Sequence, residues 1–218
     1  MTMNYRAVIF DMDGVIVDSE PVHERAFLEV IAEIGYHDRH GLRFADYVGR
    51  SDQELWLDFM AKHRTPHSLD KLLAMKCERV LKIIRRERPL FAGLPRLVER
   101  LAQRVPLALA SGSERPLVEE VLNLGELRRF FPVTVTDSDI HRGKPAPDIF
   151  LRAAELLGVE PGDCWVIEDS KPGIAAALAA NMRVIGITNT HPAGELHRAT
   201  RTVAGYAEIE RLLLPEMT

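Results

Sequence analysis

The 218-residue sequence predicts an α/β protein with a doubly wound parallel sheet as its core and a helical subdomain inserted into that core. Short apolar runs of strand length recur along the chain, and segments with helical periodicity separate them. This alternation is typical of right-handed crossovers and a parallel sheet. Between about residues 20 and 87 the strand runs are missing while the helical periodicity continues. We therefore expect a Rossmann-like core that is discontinuous in sequence, with a small α-helical cap between its two parts.

The predicted core strands are apolar on both faces, as expected for parallel strands that helices cover on each side. They are Arg6–Phe10, Pro106–Ala110, Cys164–Ile167 and Arg183–Ile187, with a weaker fifth at Val133–Thr136. The helices predicted between them are Gly93–Arg104, Arg115–Leu124, Ala146–Gly158 and Lys171–Asn181.

Three further helices are predicted within the inserted segment: Val22–Ile34, Asp52–His63 and Leu69–Arg86. We expect a core domain of residues 1–17 and 89–218 and a cap domain of residues 18–88. Large insertions of this kind often serve as lids over an active site. The apolar helical cluster of Trp56, Phe59 and Met60 is expected to pack inside this cap.

Composition and charge exclude several classes of partner. The formal net charge of −4 argues against a broad surface for nucleic acid or anionic membranes. No apolar run approaches the roughly 20 residues of a membrane-spanning helix, and acidic residues interrupt the N-terminus too early for a signal peptide. The two cysteines, Cys77 and Cys164, are far apart and fit a reducing compartment. We expect a cytoplasmic monomer that binds a small molecule, with neither nucleic acid nor membrane as a partner.

Polar residues follow the predicted strands at the edge where ligands bind to open parallel sheets. They are Asp11 and Asp13, Ser111 and Gly112, Lys144, and Glu168 and Asp169. Carboxylates crowded at one edge repel each other, and a divalent cation relieves that repulsion. Oxygen ligands without His or Cys favour Mg²⁺, which typically binds beside a substrate phosphate. The serine, the backbone amides and the lysine suit the phosphate itself, so the residues predict phosphoryl transfer to a carboxylate nucleophile.

These motifs together resemble those of the haloacid dehalogenase-like hydrolase superfamily. The matching segments are Asp-Met-Asp-Gly at 11–14, the serine at 111, Gly-Lys-Pro-Ala-Pro-Asp at 143–148 and Glu-Asp-Ser at 168–170. Each segment alone is a weak signal, but their order and spacing over nearly the whole chain are specific. The helical insertion resembles the branch that contains β-phosphoglucomutases and phosphoglycolate phosphatases.

The resemblance implies roles for the residues at the strand ends. Asp11 is expected to be the nucleophile that forms an aspartyl-phosphate, and Asp13 the acid that protonates the leaving oxygen and then activates water. Ser111, with the adjacent Gly112, and Lys144 are expected to hold the transferring phosphoryl group, and Lys144 also to orient Asp11.

The resemblance likewise implies a magnesium site. Asp11, the main-chain carbonyl of Asp13, and Asp169 are its expected ligands, with Glu168 either binding the metal directly or supporting those that do. Ser170 is expected to cap the following helix rather than to contact substrate.

Within the cap, the expected substrate contacts are Ser19, His23, Arg50 and Lys76. His23 lies four residues after Ser19, one helical turn into the insertion, and a histidine at the matching place in the mutases handles substrate. Lys76 matches a basic position of these relatives, although a solvated lysine fits the sequence nearly as well. Arg50 follows a glycine in a loop and has the length to reach a phosphate or another acidic group.

The favoured function is a Mg²⁺-dependent phosphatase of a small phosphorylated metabolite, such as a sugar phosphate or phosphoglycolate. The alternative is a β-phosphoglucomutase-type isomerase. Asp52 stands where those mutases carry an arginine for the second phosphate, and Arg115 where they tend to have a small amide, so both residues favour the phosphatase. A non-catalytic binding protein on the same fold is the remote alternative.

Overall fold

The computed structural model describes residues 5–47 and 52–214. The chain divides into two compact units. The first, here called the core unit, comprises Met1–Asp18 and Leu90–Thr218, and the second, the helical unit, comprises Ser19–Pro89. The role of the helical unit as a cap over the active site stays a prediction.

The core unit contains a six-stranded sheet in which every neighbouring pair is parallel. Its strands are β1 (Ala7–Phe10), β2 (Leu107–Ala110), β3 (Val133–Val135), β4 (Cys164–Glu168), β5 (Arg183–Ile187) and β6 (Arg201–Val203). The order across the sheet is β3-β2-β1-β4-β5-β6, so β1 is central. The doubly wound parallel sheet is confirmed. The sixth strand was not predicted, because two of its three residues are exposed and it forms no apolar run.

The described helices agree with the predicted ones to within a few residues at each end. They are α1 (Glu20–Glu33), α2 (Asp52–Lys62), α3 (Leu69–Glu87), α4 (Leu94–Ala102), α5 (Arg115–Asn123), α6 (Asp148–Leu157), α7 (Lys171–Ala179) and α8 (Tyr206–Leu213). The last of these was not predicted. No helix in the described ranges is both long enough and apolar enough to cross a membrane.

Apolar side chains from alternate positions of the strands fill both sides of the sheet. Ala7 and Ile9 of β1 belong to a buried cluster that includes residues of α6 and α7. Phe10 is also buried, and its ring meets that of Phe131 edge to face, with 5.6 Å between the ring centroids. Both faces of β1 are therefore covered by apolar residues, and the polar side chains come only after the carboxyl end of the strand.

The helical unit has its own aromatic core. Trp56 lies between Phe27, with ring centroids 5.0 Å apart, and Phe59, with centroids 5.7 Å apart. All three are buried, and Met60 packs against the same cluster. Ser68 caps α3, its side chain accepting a hydrogen bond from the amide of Lys71. The predicted packing role of these aromatic residues is confirmed.

The register of the three central strands determines which strand ends meet. Phe10 of β1 is level with Leu109 of β2 on one side and with Ile167 of β4 on the other. The ladder continues one residue further, because the amide of Asp11 donates to the Ile167 carbonyl at 3.0 Å. Asp11 therefore leaves the sheet next to the residue that ends β4, Glu168.

Candidate active site

Lys144 joins the ends of β1 and β4. Its Nζ donates to Asp11 Oδ1 and to Glu168 Oε1, both at 2.7 Å. Burial opposes the charge on the lysine, but the two carboxylates outweigh it and hold the pKa of Lys144 above its usual range. The lysine is therefore a cation that is hydrogen-bonded to both acids.

Glu168 is fully buried and has hydrogen bonds at both carboxylate oxygens. While Oε1 accepts from the lysine, Oε2 accepts from the backbone amide of Ser170 at 2.6 Å and from its hydroxyl at 2.9 Å. The same hydroxyl oxygen accepts from the amide of Gly173 at 3.1 Å, so Ser170 caps α7 as predicted. Gly173 makes room for the acid, because a β carbon on it would lie 1.5 Å from Glu168 Oε1.

Three buried acids form a cluster with the chemistry of a metal site. Asp11, Glu168 and Asp169 each offer a carboxylate oxygen, and these oxygens all lie within 4.8 Å of one another. Burial raises the pKa of Asp11 to about 7, against the lowering effect of Lys144 and with added repulsion from Glu168. Burial and the charges of Glu168 and Asp11 raise the pKa of Asp169 to about 8. Such carboxyls need a cation to stay ionised near neutral pH, and an oxygen-only set fits Mg²⁺.

Asp13 turns away from this cluster toward the loop that follows β2. Its Oδ2 accepts from the Ser113 hydroxyl at 2.7 Å and, more weakly, from the Ser111 hydroxyl at 3.5 Å. The Ser113 amide donates to Ser111 Oγ at 3.0 Å, so the two serines form one unit around the exposed Gly112. Within residues 5–47 and 52–214, Asp13 Oδ1 is buried and has no hydrogen-bond partner. That oxygen is available for a proton or a ligand.

Ser113 is a residue of the same strand-end loop to which the sequence analysis assigned no role. Its signal was present, since it stands two residues after Ser111 in the same strand-end loop and directly before the polar start of α5. It was passed over because Ser111 alone matches the family motif. In the structure Ser113, rather than Ser111, makes the shorter bond to Asp13.

Gly14 forms the turn that carries the chain away from the two aspartates. Its φ of +70° lies in the left-handed region that favours glycine. A β carbon at this position would lie 1.8 Å from Asp169 Oδ2 and 2.6 Å from Thr190 Oγ1. The turn therefore presses directly against the Asp169 carboxylate, and any larger residue would displace it.

The predicted cap residues that the structure describes lie in the helical unit. Ser19 is buried and its carbonyl accepts from the amide of His23 at 2.9 Å, which opens α1. Lys76 on α3 is fully buried, donates to the carboxylate of Asp52 and lies 3.2 Å from Nδ1 of His23. It is not the solvated lysine that was the alternative interpretation. Arg50 falls outside the described residues.

Comparison with known proteins agrees with this arrangement. A family model described as haloacid dehalogenase-like hydrolase matches residues 5–181. The chain belongs to the haloacid dehalogenase-like hydrolase family. Among its relatives is hexitol phosphatase B of Escherichia coli K12, 32% identical over 214 residues that cover 97% of this chain and 94% of the relative.

Other family members extend the comparison. The fructose-1-phosphate phosphatase of E. coli K12 is 32% identical over 195 residues, covering 86% of this chain and 98% of the relative. The crystal structure of a putative β-phosphoglucomutase from Thermotoga maritima superposes with a TM-score of 0.81 at 29% identity, covering 97% of this chain and 100% of that one. The expected family and enzyme class, a phosphatase-type hydrolase, are confirmed. Both phosphatases and mutases occur among its neighbours.

Proposed function

We propose that this family member is a Mg²⁺-dependent phosphatase that hydrolyses a small phosphorylated metabolite of the sugar phosphate or polyol phosphate class. The observation that carries the proposal is the contact of Lys144 with both Asp11 and Glu168, at 2.7 Å each, beside the third acid of the cluster. This contact orients the Asp11 carboxylate through the Lys144 cation, as a nucleophile requires. The named phosphatases among the relatives support the same reaction.

In the first step, a carboxylate oxygen of Asp11 attacks phosphorus and the ester bond from phosphorus to the leaving oxygen breaks. Asp13 donates its proton to that oxygen, which leaves as an alcohol. The unpartnered Asp13 Oδ1 supports this role, because the other oxygen is already held by the serines. Lys144, and the hydroxyl of Ser111 with the Gly112 backbone, hold the phosphoryl oxygens while the group is transferred.

In the second step, water attacks phosphorus and the bond between phosphorus and Asp11 breaks. Asp13, now ionised, takes the proton from the water, so that inorganic phosphate leaves and both aspartates return to their starting states. Ser113 keeps the Asp13 carboxylate in place through both proton transfers.

Asp11 and Asp169 would hold Mg²⁺, together with the main-chain carbonyl of Asp13. Glu168 has both oxygens occupied by Lys144 and Ser170, so we assign it to supporting the ligands rather than to binding the metal. Bound Mg²⁺ neutralises the repulsion between carboxylates and phosphate and polarises the phosphoryl group.

The charge balance around Lys76 supports a substrate whose remote part is uncharged. A buried lysine is stable only when it is paired, and Asp52 supplies the opposite charge. Lys76, Asp52 and His23 therefore form a cluster that contains an ion pair and offers hydrogen-bond donors and acceptors to a ligand. Vicinal hydroxyls match such a group, whereas a second phosphate needs surplus positive charge. We propose that His23 and Lys76, with Ser19 at the start of α1, bind the hydroxyl-bearing part of the substrate.

The mutase is the second candidate, and the Thermotoga structure is the observation that favours it. A mutase of this type must hold a bisphosphate, and the pairing of Lys76 with Asp52 counts against it. Arg50, which the sequence indicates as a second cation, stays a prediction.

The test is a phosphate-release screen with purified protein and 5 mM Mg²⁺. Substrates are hexitol phosphates, fructose 1-phosphate, phosphoglycolate and fructose 1,6-bisphosphate, with Asp11→Asn as the blank. In parallel, β-glucose 1-phosphate with a trace of its 1,6-bisphosphate is followed for isomerisation. We expect release from a monophosphate that the blank does not show. Isomerisation faster than any hydrolysis would establish the mutase instead.

The charge argument has a test of its own. Asp52→Asn leaves the lysine unneutralised, so kcat/KM for fructose 1,6-bisphosphate should rise relative to fructose 1-phosphate. Glu24→Gln removes the same charge from an exposed position on α1 and serves as the matched control. If the ratio of the two kcat/KM values shifts equally in both variants, or in neither, the proposed role of Lys76 and Asp52 is contradicted.

A further inference from the structure

We propose that Tyr206, Asn189 and Thr190 are positioning residues for the metal site. They lie outside every motif that identifies the family and clamp the Gly14 turn against the carboxylate of Asp169. The inference rests on the proposed function, since it concerns how the Mg²⁺ ligands are held.

Tyr206 and Asn189 hold the backbone of the turn from one side. The buried hydroxyl of Tyr206, on α8, donates to the Val15 carbonyl at 2.7 Å. The amide nitrogen of Asn189, just after β5, donates to the Gly14 carbonyl at 2.8 Å and to the Tyr206 hydroxyl at 3.0 Å. Two consecutive carbonyls that the turn leaves unpaired thus receive side-chain donors from two separate elements.

Thr190 holds the acid on the other side of the same contact. Its hydroxyl lies beside the Asp169 carboxylate and lowers the pKa of that acid, and Thr190 directly follows Asn189 in the chain. One short loop therefore contacts both the turn and the acid. No space remains between Gly14 and the Asp169 carboxylate, since even a β carbon on Gly14 would overlap Asp169 Oδ2.

This geometry couples the position of the turn to the rotation of the carboxylate. If the turn moves outward, the Gly14 backbone no longer packs against Asp169. The Asp169 side chain can then adopt rotamers in which its carboxylate does not face Asp11. The same movement shifts the Asp13 backbone, which precedes Gly14 and is the proposed carbonyl ligand. Residues that orient metal ligands typically change metal affinity by about 10–100-fold when they are removed.

The test compares Tyr206→Phe, Asn189→Leu and Thr190→Val with Tyr5→Phe. Tyr5 donates its hydroxyl to the Leu213 carbonyl at 2.7 Å, so the control removes the same kind of bond at the end of the same helix, α8, away from the turn. Mg²⁺ binding is measured by calorimetry on substrate-free protein, and substrate KM is measured at saturating Mg²⁺.

We expect the dissociation constant for Mg²⁺ to rise about tenfold or more in the three site variants, while the substrate KM at saturating Mg²⁺ changes less than about twofold. Tyr5→Phe should leave Mg²⁺ binding unchanged. Asn189 also donates to the Tyr206 hydroxyl, so the two residues are coupled. A double variant that combines Tyr206→Phe with Asn189→Leu should therefore lose less Mg²⁺ affinity than the sum of the two single effects.

Unchanged Mg²⁺ affinity in folded Tyr206→Phe and Thr190→Val protein, whatever their melting temperatures, would overturn the inference while leaving the proposed function intact. If the wild type itself neither binds Mg²⁺ nor requires it for phosphate release, the proposed function fails and the inference fails with it. If Asn189→Leu does not fold, the other two variants decide the outcome.

Discussion

Gly173 offers a sharp test of how the acid cluster is built, because two physical effects predict opposite signs for its replacement by alanine. Glycine within a helix costs about 1 kcal/mol relative to alanine, so at an ordinary helical position Gly173→Ala would stabilise the protein. Here the added β carbon would lie 1.5 Å from Oε1 and 2.0 Å from Cδ of the buried Glu168. The glutamate side chain has to move, since the backbone of α7 is fixed by its cap.

The size of the effect follows from what Glu168 then loses. Overpacking a core typically costs about 1–3 kcal/mol. Losing a hydrogen bond to a charged group, such as the one from Lys144, costs about 1.5–3 kcal/mol more. After the gain of about 1 kcal/mol in helix propensity is subtracted, we expect the free energy of unfolding to fall by about 1.5–5 kcal/mol.

Urea unfolding followed by circular dichroism measures this change. Gly194→Ala is the matched control, since Gly194 is exposed, its φ lies outside the left-handed region and a β carbon there meets nothing within 4 Å. The control should change stability by less than about 0.5 kcal/mol. A Gly173→Ala protein that is as stable as the wild type, or more so, and that binds Mg²⁺ equally well would refute the described packing of Glu168.

The remaining predictions concern the chemistry. Asp11→Asn should abolish turnover without unfolding the protein, because an amide does not attack phosphorus; retained activity would exclude the covalent route. Ser113→Ala should lower kcat about 10–100-fold, the value of one hydrogen bond to a charged group, yet add little to the loss caused by Asp13→Asn; additive losses would separate the serine from the acid. In EDTA, the free energy of unfolding should fall between pH 5 and 8, because the folded state holds protons on Asp11 and Asp169, with pKa values of about 7 and 8, that the unfolded chain has released. Saturating Mg²⁺ should reduce that fall, and an identical pH dependence with and without the metal would contradict the assignment of the cluster.

The strand ends were predictable because their signals are local. Each of Asp11, Lys144 and Glu168 follows a strand or precedes a helix in a short stretch of sequence, and parallel pairing brings such ends to one edge. The register then places Asp11 beside Glu168, as the motifs predict. The same holds for the buried strands, whose apolar runs alone indicate them.

What the sequence did not reveal depends on contacts between distant segments. Tyr206 lies 191 residues from the carbonyl that it binds, and no local pattern marks it. The pairing of Lys76 with Asp52 is visible only once two helices are packed, so from the sequence a solvated lysine fitted nearly as well as the predicted substrate contact. Strand β6 is short and two of its three residues are exposed, which removes the apolar signal by which strands are recognised.

The central claim is that Asp11 becomes phosphorylated during the hydrolysis of a phosphate monoester. The direct measurement is acid quenching of the enzyme within milliseconds of mixing with its best substrate and Mg²⁺, followed by mass spectrometry of the peptide that contains Asp11 and Asp13. The account predicts a phosphoryl group on Asp11, formed at least as fast as phosphate is released and lost when EDTA replaces Mg²⁺. Steady release of phosphate with no phosphoryl group on Asp11 at any time would contradict it.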